Sequence, residues 1–240
     1  PKKGSGFDVA MVVAALQAEK KLKPSGDCVF LGEVGLDGSI RPIPGILPAV
    51  KAAADAGHSR VVVPAQNMHE AALIPGIQVS GFRCLAEIFV ALGASAENLK
   101  YPPESVREQP TAEIPEHGIP SDMSDVAGQA QGRFALEIAA AGGHHLLFTG
   151  PPGSGKTMLA ERLPSILPPL DDDAAMEVTA IRSLTAGGTP LRELVRTPPF
   201  EAPHHSASAP AILGGGSGIP RPGCVSKAHR GVLFLDEAPE

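Results

Sequence analysis

The chain has 240 residues, of which 43% are apolar and 19% are charged, a composition typical of globular proteins. Its formal net charge of −6 excludes a global attraction to nucleic acid or to an anionic membrane, while leaving room for a local basic surface. No apolar run approaches the length needed to span a bilayer, so we expect no membrane partner. The three widely spaced cysteines predict neither a disulfide framework nor a thiolate zinc site, and they are typical of reduced cytosolic proteins.

The first 95 residues show the alternating helix and strand patterns of one α/β domain. Apolar residues at helical spacing predict helices that begin near Phe7, Ile46, Met68 and Cys84. Short apolar runs predict strands at 28–34, 40–43, 60–63 and 78–82, the first two joined as a hairpin by an Asp-Gly turn. The resulting order, α-β-β-α-β-α-β-α, predicts a compact domain at residues 1–95.

A proline-rich segment separates this domain from the rest of the chain. Residues 97–121 contain five prolines among charged residues and lack apolar periodicity, which is typical of a semi-extended connector. We therefore predict a linker at 96–122 and a second domain at 123–240. The chain starts at Pro1 and stops at Glu240, just after an acidic motif, and we expect it to be a piece of a longer protein.

The most informative motif is GPPGSGKT at residues 150–157, between an apolar run at 146–148 and a helical pattern that starts at Met158. The backbone N–H groups of such a loop converge on an anion, and the following helix adds partial positive charge. A glycine turn before an ordinary exposed lysine is the alternative, but the flanking strand and helix patterns favour a phosphate loop. Lys156 is expected to reach the β- and γ-phosphates, and Thr157 to offer its hydroxyl to Mg²⁺. The residues predicted to bind nucleotide here are Gly150, Pro151, Pro152, Gly153, Ser154, Gly155, Lys156, Thr157 and Met158.

A second motif lies downstream, where an apolar run at 231–235 ends in Asp236 and Glu237. Ligands in open α/β sheets bind at the carboxyl ends of the strands, so we expect this strand and the one at 146–148 to present their loops to one site. Asp236 is predicted to hold the Mg²⁺ together with Thr157. Glu237 is predicted to orient and deprotonate the attacking water, with Lys156 as the second catalytic residue. Two solvated acids at the end of a strand remain the alternative.

Residues between these motifs carry weaker signals. His204 and His205 are adjacent, and in an extended chain their side chains point to opposite faces, which argues against a shared zinc ion. A loop rich in glycine and proline at 213–223 precedes Lys227, His229 and Arg230. These three residues and Arg221 form either a phosphate-contacting surface or an ordinary solvated basic loop.

The N-terminal half resembles the C-terminal domain of Lon-type proteases, which has a ribosomal-S5-like α/β fold. The resemblance rests on residues 32–34, Gly38, residues 41–43, residues 56–57 and residues 61–64. Aligning Lys3-Gly4 with the protease places Gly6 where the nucleophilic serine would be, and Leu47 falls where the catalytic lysine would be. The resemblance therefore implies a domain without protease activity.

The second half resembles the AAA+ ATPases, a P-loop αβα fold with a parallel sheet, incomplete here after the acidic motif. Residues 125–129 are similar to the family's adenine-side box, which implies that Asp125 and Val126 bind nucleotide. The motifs at 150–157 and 233–237 resemble Walker A and Walker B. Residues 202–208, 214–216 and 221–223 resemble the signature of the magnesium-chelatase-like subfamily, and the Lon-like domain points to its ComM/YifB branch.

The resemblance implies a cytoplasmic, Mg²⁺-dependent ATPase that forms a homo-oligomeric ring, a hexamer in the branch. It also implies DNA as a partner, with a helicase role in branch migration during natural transformation. A chelatase-like or protein-remodelling ATPase, and an ATP-gated scaffold without DNA activity, are the alternatives. No residues before Glu240 correspond to the family's sensor, arginine finger or helical lid. We therefore expect these 240 residues alone to hydrolyse ATP poorly.

Overall fold

The computed structural model describes residues 5–103, 121–185, 191–216 and 220–237. It is a mixed α/β structure with parallel sheets. Its contacts divide the chain into two compact units, one of Pro1–Ile114 with Arg182–Leu194 and the other of Pro115–Ile181 with Val195–Glu240. Most of the linker predicted at 96–122 lies outside the described residues.

Short strands and helices alternate along the chain. The α-helices are α1 (Asp8–Ala18), α2 (Ile46–Asp55), α3 (Met68–Ala71), α4 (Leu85–Ala91), α5 (Ala130–Gly142), α6 (Lys156–Arg162), α7 (Asp172–Thr185), α8 (Ala209–Leu213) and α9 (Cys224–Lys227). The strands are β1 (Val29–Phe30), β2 (Glu33–Val34), β3 (Ile40–Arg41), β4 (Arg60–Pro64), β5 (Gln78–Phe82), β6 (Phe200–Glu201) and β7 (Val232–Leu233). Turns of 3-10 helix occupy Ser5–Phe7, Ala65–Asn67, Ala96–Asn98, Met123–Asp125 and Leu163–Ile166.

The first unit is built on a three-stranded parallel sheet in the order β1-β4-β5. The central strand β4 is the most apolar, and its Val61 and Val63 side chains are fully buried. Because a central parallel strand is covered on both faces, a continuous valine run is the sequence that suits it. The helices predicted near Phe7, Ile46, Met68 and Cys84, and the strands predicted at 60–63 and 78–82, are confirmed.

The strand predicted at 28–34 is wrong as a single element. It divides into β1, which pairs in parallel with β4, and β2, which pairs antiparallel with β3. The break falls at Gly32, whose φ of 148° lies in the region that favours glycine. A Cβ on Gly32 would lie 2.8 Å from the Ile40 side chain and 3.1 Å from the Val9 side chain. Glycine therefore also lets the backbone pass close to these two core residues. The predicted hairpin is confirmed as the antiparallel pair of β2 and β3.

Leu47, which the resemblance to Lon-type proteases aligns with their catalytic lysine, is part of the hydrophobic core. Leu47 lies in the first turn of α2 and is fully buried. Gly6 lies in the 3-10 turn that precedes α1, and a Cβ there would make only an ordinary contact with Ile43, at 3.5 Å. Lys3 and Gly4 lie outside the described residues. A buried leucine cannot supply a base, which is compatible with a domain that is not a protease.

Residues from the second half of the sequence complete the first unit. The hydroxyl of Ser183 accepts a hydrogen bond from the Leu47 amide at 3.4 Å, and its carbonyl accepts one from the Gly45 amide at 3.1 Å. The buried Glu70 carboxylate is hydrogen-bonded by Ser183 and by the amides of Leu191 and Leu47, yet burial raises its pKa. The described residues of 182–194, which the sequence places in the second domain, thus make their contacts within the first unit.

The second unit contains a helical cluster and one pair of parallel strands. Met123, Val126, Leu136 and Leu159 form its buried core, which brings the 3-10 turn at Met123–Asp125 against α5 and α6. Strands β6 and β7 pair in the register Phe200↔Val232 and Glu201↔Leu233. The strand predicted at 231–235 is therefore confirmed in a shortened form.

The strand predicted at 146–148 is wrong, because these residues adopt no regular secondary structure. Leu147 is 82% exposed and Leu146 is 41% exposed, while Phe148 packs against the helical core. A strand requires hydrogen bonds from a neighbouring strand, and within the described part of the chain β6 and β7 pair only with each other. Across the described ranges, no helix is long and apolar enough to cross a membrane.

Candidate nucleotide site

The loop at 150–157 has the conformation its glycines allow. Gly153 and Gly155 have φ values of 77° and 84°, in the left-handed region where a side chain is strained. Gly155 also precedes α6 directly and serves as its N-cap. The side-chain amide of Gln129 donates a hydrogen bond to the Ser154 carbonyl at 3.0 Å and so ties the loop to the start of α5.

Lys156 folds back over the loop that precedes it. Its Nζ donates hydrogen bonds to the carbonyls of Gly150 and Pro151 at 2.9 and 3.1 Å. The loop therefore curls around the ammonium group. An ammonium held at the mouth of a glycine loop is placed to meet a phosphate oxygen, because it has three hydrogen-bond donors.

The two predicted magnesium ligands come together in the structure. The hydroxyl of Thr157 lies 3.5 Å from Oδ2 of Asp236, although 79 residues separate them in the sequence. Thr157 is in the first turn of α6, and Asp236 follows strand β7. Both supply oxygen atoms, the ligands that Mg²⁺ prefers.

Glu237, the predicted base, has an unusual backbone conformation. Its φ is 50°, in the left-handed region that side chains other than Asn and Asp seldom adopt. The second carboxylate oxygen of Asp236 accepts a hydrogen bond from the Glu237 amide at 3.1 Å, which holds this conformation. The Glu237 carboxylate is exposed, and its Oε2 lies 3.4 Å from Nδ1 of His205.

The expectation that His204 and His205 point to opposite faces is wrong. Their ring centroids lie 4.0 Å apart, with the ring planes tilted by 35°. The segment is a turn rather than an extended chain, since the Ala207 amide donates to the His204 carbonyl at 2.8 Å. In the described ranges, no cluster of three His, Cys, Asp or Glu side chains has the arrangement to hold a metal ion.

The residues predicted to bind the adenine side lie beside the loop's helix. Val126 is buried against the core that includes Leu159, with Met158 packed on its edge. The Asp125 carboxylate accepts a hydrogen bond from the Asp122 amide at 3.2 Å, and Asp122 in turn caps the Ser124 amide. Asp125 therefore stabilises its own turn by a capping box, and Val126 is the residue of the pair nearer to the loop's helix.

Two of the basic residues proposed to meet phosphate are engaged elsewhere. Arg230 Nε and His229 Nε2 both lie 2.9 Å from Oε2 of Glu177 on helix α7. Two hydrogen bonds lower the pKa of Glu177 to about 2; the one from Arg230 has the larger effect and the one from His229 the next largest. The two side chains thus have a structural partner within the unit. Of the other two predicted residues, Arg221 is exposed and Lys227, in α9, is half-buried.

Two contacts at this site are not predicted by the sequence. Gln129, predicted only as part of the adenine-side box, contacts the phosphate loop. His205, whose position in the sequence argues against a zinc site, lies next to Glu237. The signal for His205 was available, because it follows β6 as closely as Glu237 follows β7, and parallel strands end at the same edge.

The residues present fit a nucleotide with Mg²⁺. A Cβ at Gly155 would approach the Gln129 amide at 3.3 Å, so the glycine keeps the loop backbone close to its support. The loop offers a lysine ammonium held by its own carbonyls, and the threonine hydroxyl that follows lies beside a carboxylate. This is the donor and acceptor set that a polyphosphate with a hard divalent cation requires.

Comparison with known proteins supports this assignment. Residues 122–240 match the family described as "Magnesium chelatase, subunit ChlI", and residues 1–67 match the one described as "Subunit ChlI of Mg-chelatase". All 240 residues align with three bacterial relatives. Identity is 50% with the uncharacterized protein Rv2897c of Mycobacterium tuberculosis, 42% with the uncharacterized protein YifB of Escherichia coli and 39% with the competence protein ComM of Haemophilus influenzae. The chain spans 46% of the length of each.

These matches and the loop geometry define an AAA+-like protein of the kind that uses a nucleotide. The chain belongs to the magnesium-chelatase-like family that includes YifB and ComM.

Proposed function

We propose that the whole protein is a Mg²⁺-dependent ATPase that works as a ring-shaped motor on DNA, in the manner of a helicase or branch-migration factor. The observation that carries the ATPase proposal is the approach of Thr157 to Asp236 at 3.5 Å, at the end of the loop that holds the Lys156 ammonium. Thr157 and Asp236 are 79 residues apart in the sequence, so the fold is what brings their side chains together. DNA as the partner is supported by similarity to a competence protein.

Each residue has a separate role in this proposal. The loop amides and Lys156 bind and orient the phosphates, and Thr157 and Asp236 hold the cation. Bound Mg²⁺ neutralises charge that develops on the phosphate oxygens. Glu237 orients a water molecule and accepts its proton, for which an exposed carboxylate beside the loop is suited.

The test is an ATPase assay on the full-length protein with and without single- and double-stranded DNA. We expect DNA to stimulate hydrolysis and DNA binding to weaken steeply with salt. Lys156→Ala should abolish nucleotide binding or turnover, and Glu237→Gln should trap ATP. Hydrolysis by Glu237→Gln at the wild-type rate would show that Glu237 is not the base.

The match to magnesium chelatase families favours a second candidate, an ATPase that remodels a protein or a chelatase partner. It uses the same residues on a target that is not nucleic acid. ATPase activity without DNA stimulation and without salt-sensitive DNA binding would favour this candidate over the DNA motor.

A further inference from the structure

We propose that Ser183 anchors the last turn of α7 on helix α2, and that this anchor makes α2 respond to nucleotide bound at the candidate site. The inference rests on the proposed ATPase function. Helix α2 begins at Gly45, which has no side chain to cap the first amides of the helix. Ser183 supplies the cap from 136 residues away in the sequence. Its hydroxyl accepts a hydrogen bond from the Leu47 amide at 3.4 Å, and its carbonyl accepts one from the Gly45 amide at 3.1 Å.

The anchor is buried and closely packed. Ser183 and Glu70 are each 3% exposed, and the Ser183 hydroxyl also donates a hydrogen bond to the Glu70 carboxylate. A Cβ on Gly45 would lie 2.6 Å from the Leu184 side chain, so the glycine leaves the space that Leu184 occupies. Displacing Ser183 would remove a partner from two amides and a carboxylate in the interior, which makes this docked arrangement specific.

Helix α7 also holds the start of the strand that leads to the proposed cation ligand. Glu177 on α7 lies 2.9 Å from both Arg230 Nε and His229 Nε2. Arg230 has a φ of 60°, in the left-handed region, and the chain continues from it into β7 and then to Asp236. The same helix is therefore hydrogen-bonded at Glu177 to the start of the acidic strand and at Ser183 to the first turn of α2.

A second connection joins α7 to the acidic strand. The Thr179 side chain is fully buried, and its hydroxyl accepts a hydrogen bond from the Val195 amide at 2.9 Å. The chain continues from Val195 into β6, which pairs in parallel with β7. A shift of β7 on nucleotide binding would thus reach α7 through Glu177 and through Val195. Contiguous networks of packed and hydrogen-bonded groups of this kind carry coupling between distant sites.

The experiment measures hydrogen exchange of the Gly45 and Leu47 amides in the full-length protein, with and without Mg²⁺ and a non-hydrolysable ATP analogue. We expect the analogue to slow the exchange of both amides about fivefold, the lower end of typical coupling between two sites. Ser183→Ala should speed their exchange about fivefold without nucleotide, as expected when one hydrogen bond is lost. It should also abolish the response to the analogue while leaving the affinity for the analogue unchanged.

Ser39→Ala is the matched control for this variant. Ser39 is also a buried serine of the first unit, 5% exposed, and its hydroxyl donates a hydrogen bond to Asp37 at 2.6 Å. Ser39→Ala should keep both the wild-type exchange at Gly45 and Leu47 and the wild-type response to the analogue.

A pair of glycine substitutions tests the anchor from the side of α2. Gly45→Ala and Gly57→Ala each place a side chain at a positive φ, 74° and 87°, at the two ends of the helix. Only the Cβ at Gly45 meets a neighbour, Leu184, whereas the space around Gly57 is open. Gly45→Ala should therefore abolish the response of the Leu47 amide to the analogue, and Gly57→Ala should retain it.

The outcomes separate the inference from the proposed function. Failure of the wild-type protein to bind the analogue would overturn the function and the inference together. If the analogue binds but leaves the exchange of Gly45 and Leu47 unchanged, the nucleotide site stands and the coupling to α2 is wrong. A response that persists in Ser183→Ala or in Gly45→Ala would show that it does not pass through this anchor, which also overturns the inference.

Discussion

The Thr157 hydroxyl lies 3.5 Å from the Asp236 carboxylate, which joins the helix after the phosphate loop to the end of strand β7. This pair is the centre of the candidate site, because both oxygens are of the kind that binds a hard cation, and Lys156, the proposed phosphate-binding residue, directly precedes Thr157. This arrangement predicts that hydrolysis depends on Mg²⁺ held through Asp236.

Asp236→Asn should lower kcat about 100-fold and raise the Mg²⁺ concentration needed for half-maximal hydrolysis. An amide oxygen carries no net charge and binds a hard cation more weakly than a carboxylate does. The measurement is a Mg²⁺ titration of ATPase activity in the full-length protein, with chelation of Mg²⁺ abolishing activity. Asp173→Asn, which removes an exposed carboxylate from the start of α7, is the control. Equal Mg²⁺ requirements in both variants would contradict the assignment.

Glu70→Ala should destabilise the first unit by about 1–3 kcal/mol, since the Ser183 hydroxyl and the Leu191 amide would lose this acceptor. Hydrogen exchange of the α2 amides, followed alongside urea denaturation, measures the loss. Glu19→Ala is a suitable comparison, because Glu19 is exposed and paired only with exposed Lys21; its effect should stay within about 0.5 kcal/mol. A Glu70→Ala variant as stable as Glu19→Ala would show that the contact with 182–194 adds no stability.

The stability of the first unit should depend on pH through Asp27. Hydrogen bonds from His58, and then from the amide and hydroxyl of Ser59, lower the pKa of Asp27 to about 2 from its ordinary 3.8. A carboxylate with a depressed pKa in the folded state contributes stability above its unfolded pKa and loses it as pH falls towards the folded value.

The urea midpoint of the wild type should therefore exceed that of Asp27→Asn at pH 6, and the difference should shrink between about pH 4 and pH 2. Asp55→Asn provides the comparison, as Asp55 forms one exposed pair with Lys51. A constant difference across this range would mean that the Asp27 carboxylate does not carry the effect.

Arg221 and Arg230 should contribute unequally to DNA binding. Arg221→Ala should reduce the slope of log affinity against log salt by about 0.7, as expected when one phosphate contact with single-stranded DNA is lost. Arg230→Ala should reduce the slope less, because its guanidinium is bound to Glu177 within the same unit. Fluorescence anisotropy with labelled single-stranded DNA over a salt series measures both slopes. Equal reductions would show that the pair with Glu177 opens when DNA binds.

The sequence by itself determined the features that depend on local chemistry. A glycine pattern before Lys156 and Thr157 predicts a phosphate loop, because few residue types tolerate the left-handed φ seen at Gly153 and Gly155. Helical periodicity and the valine run at 61–63 likewise predicted α1, α2 and β4, since burial of one face follows from the pattern of apolar residues.

The tertiary structure decided what depends on partners far along the chain. Whether residues 28–34 form one strand or two was settled by the competing pairings with β4 and β3. The contacts of Ser183 with Leu47 and of His205 with Glu237 also depend on the tertiary structure. Local sequence patterns do not specify which distant surfaces meet. Apolar residues at 146–148 resembled a strand, but a strand forms only where a neighbour supplies its hydrogen bonds.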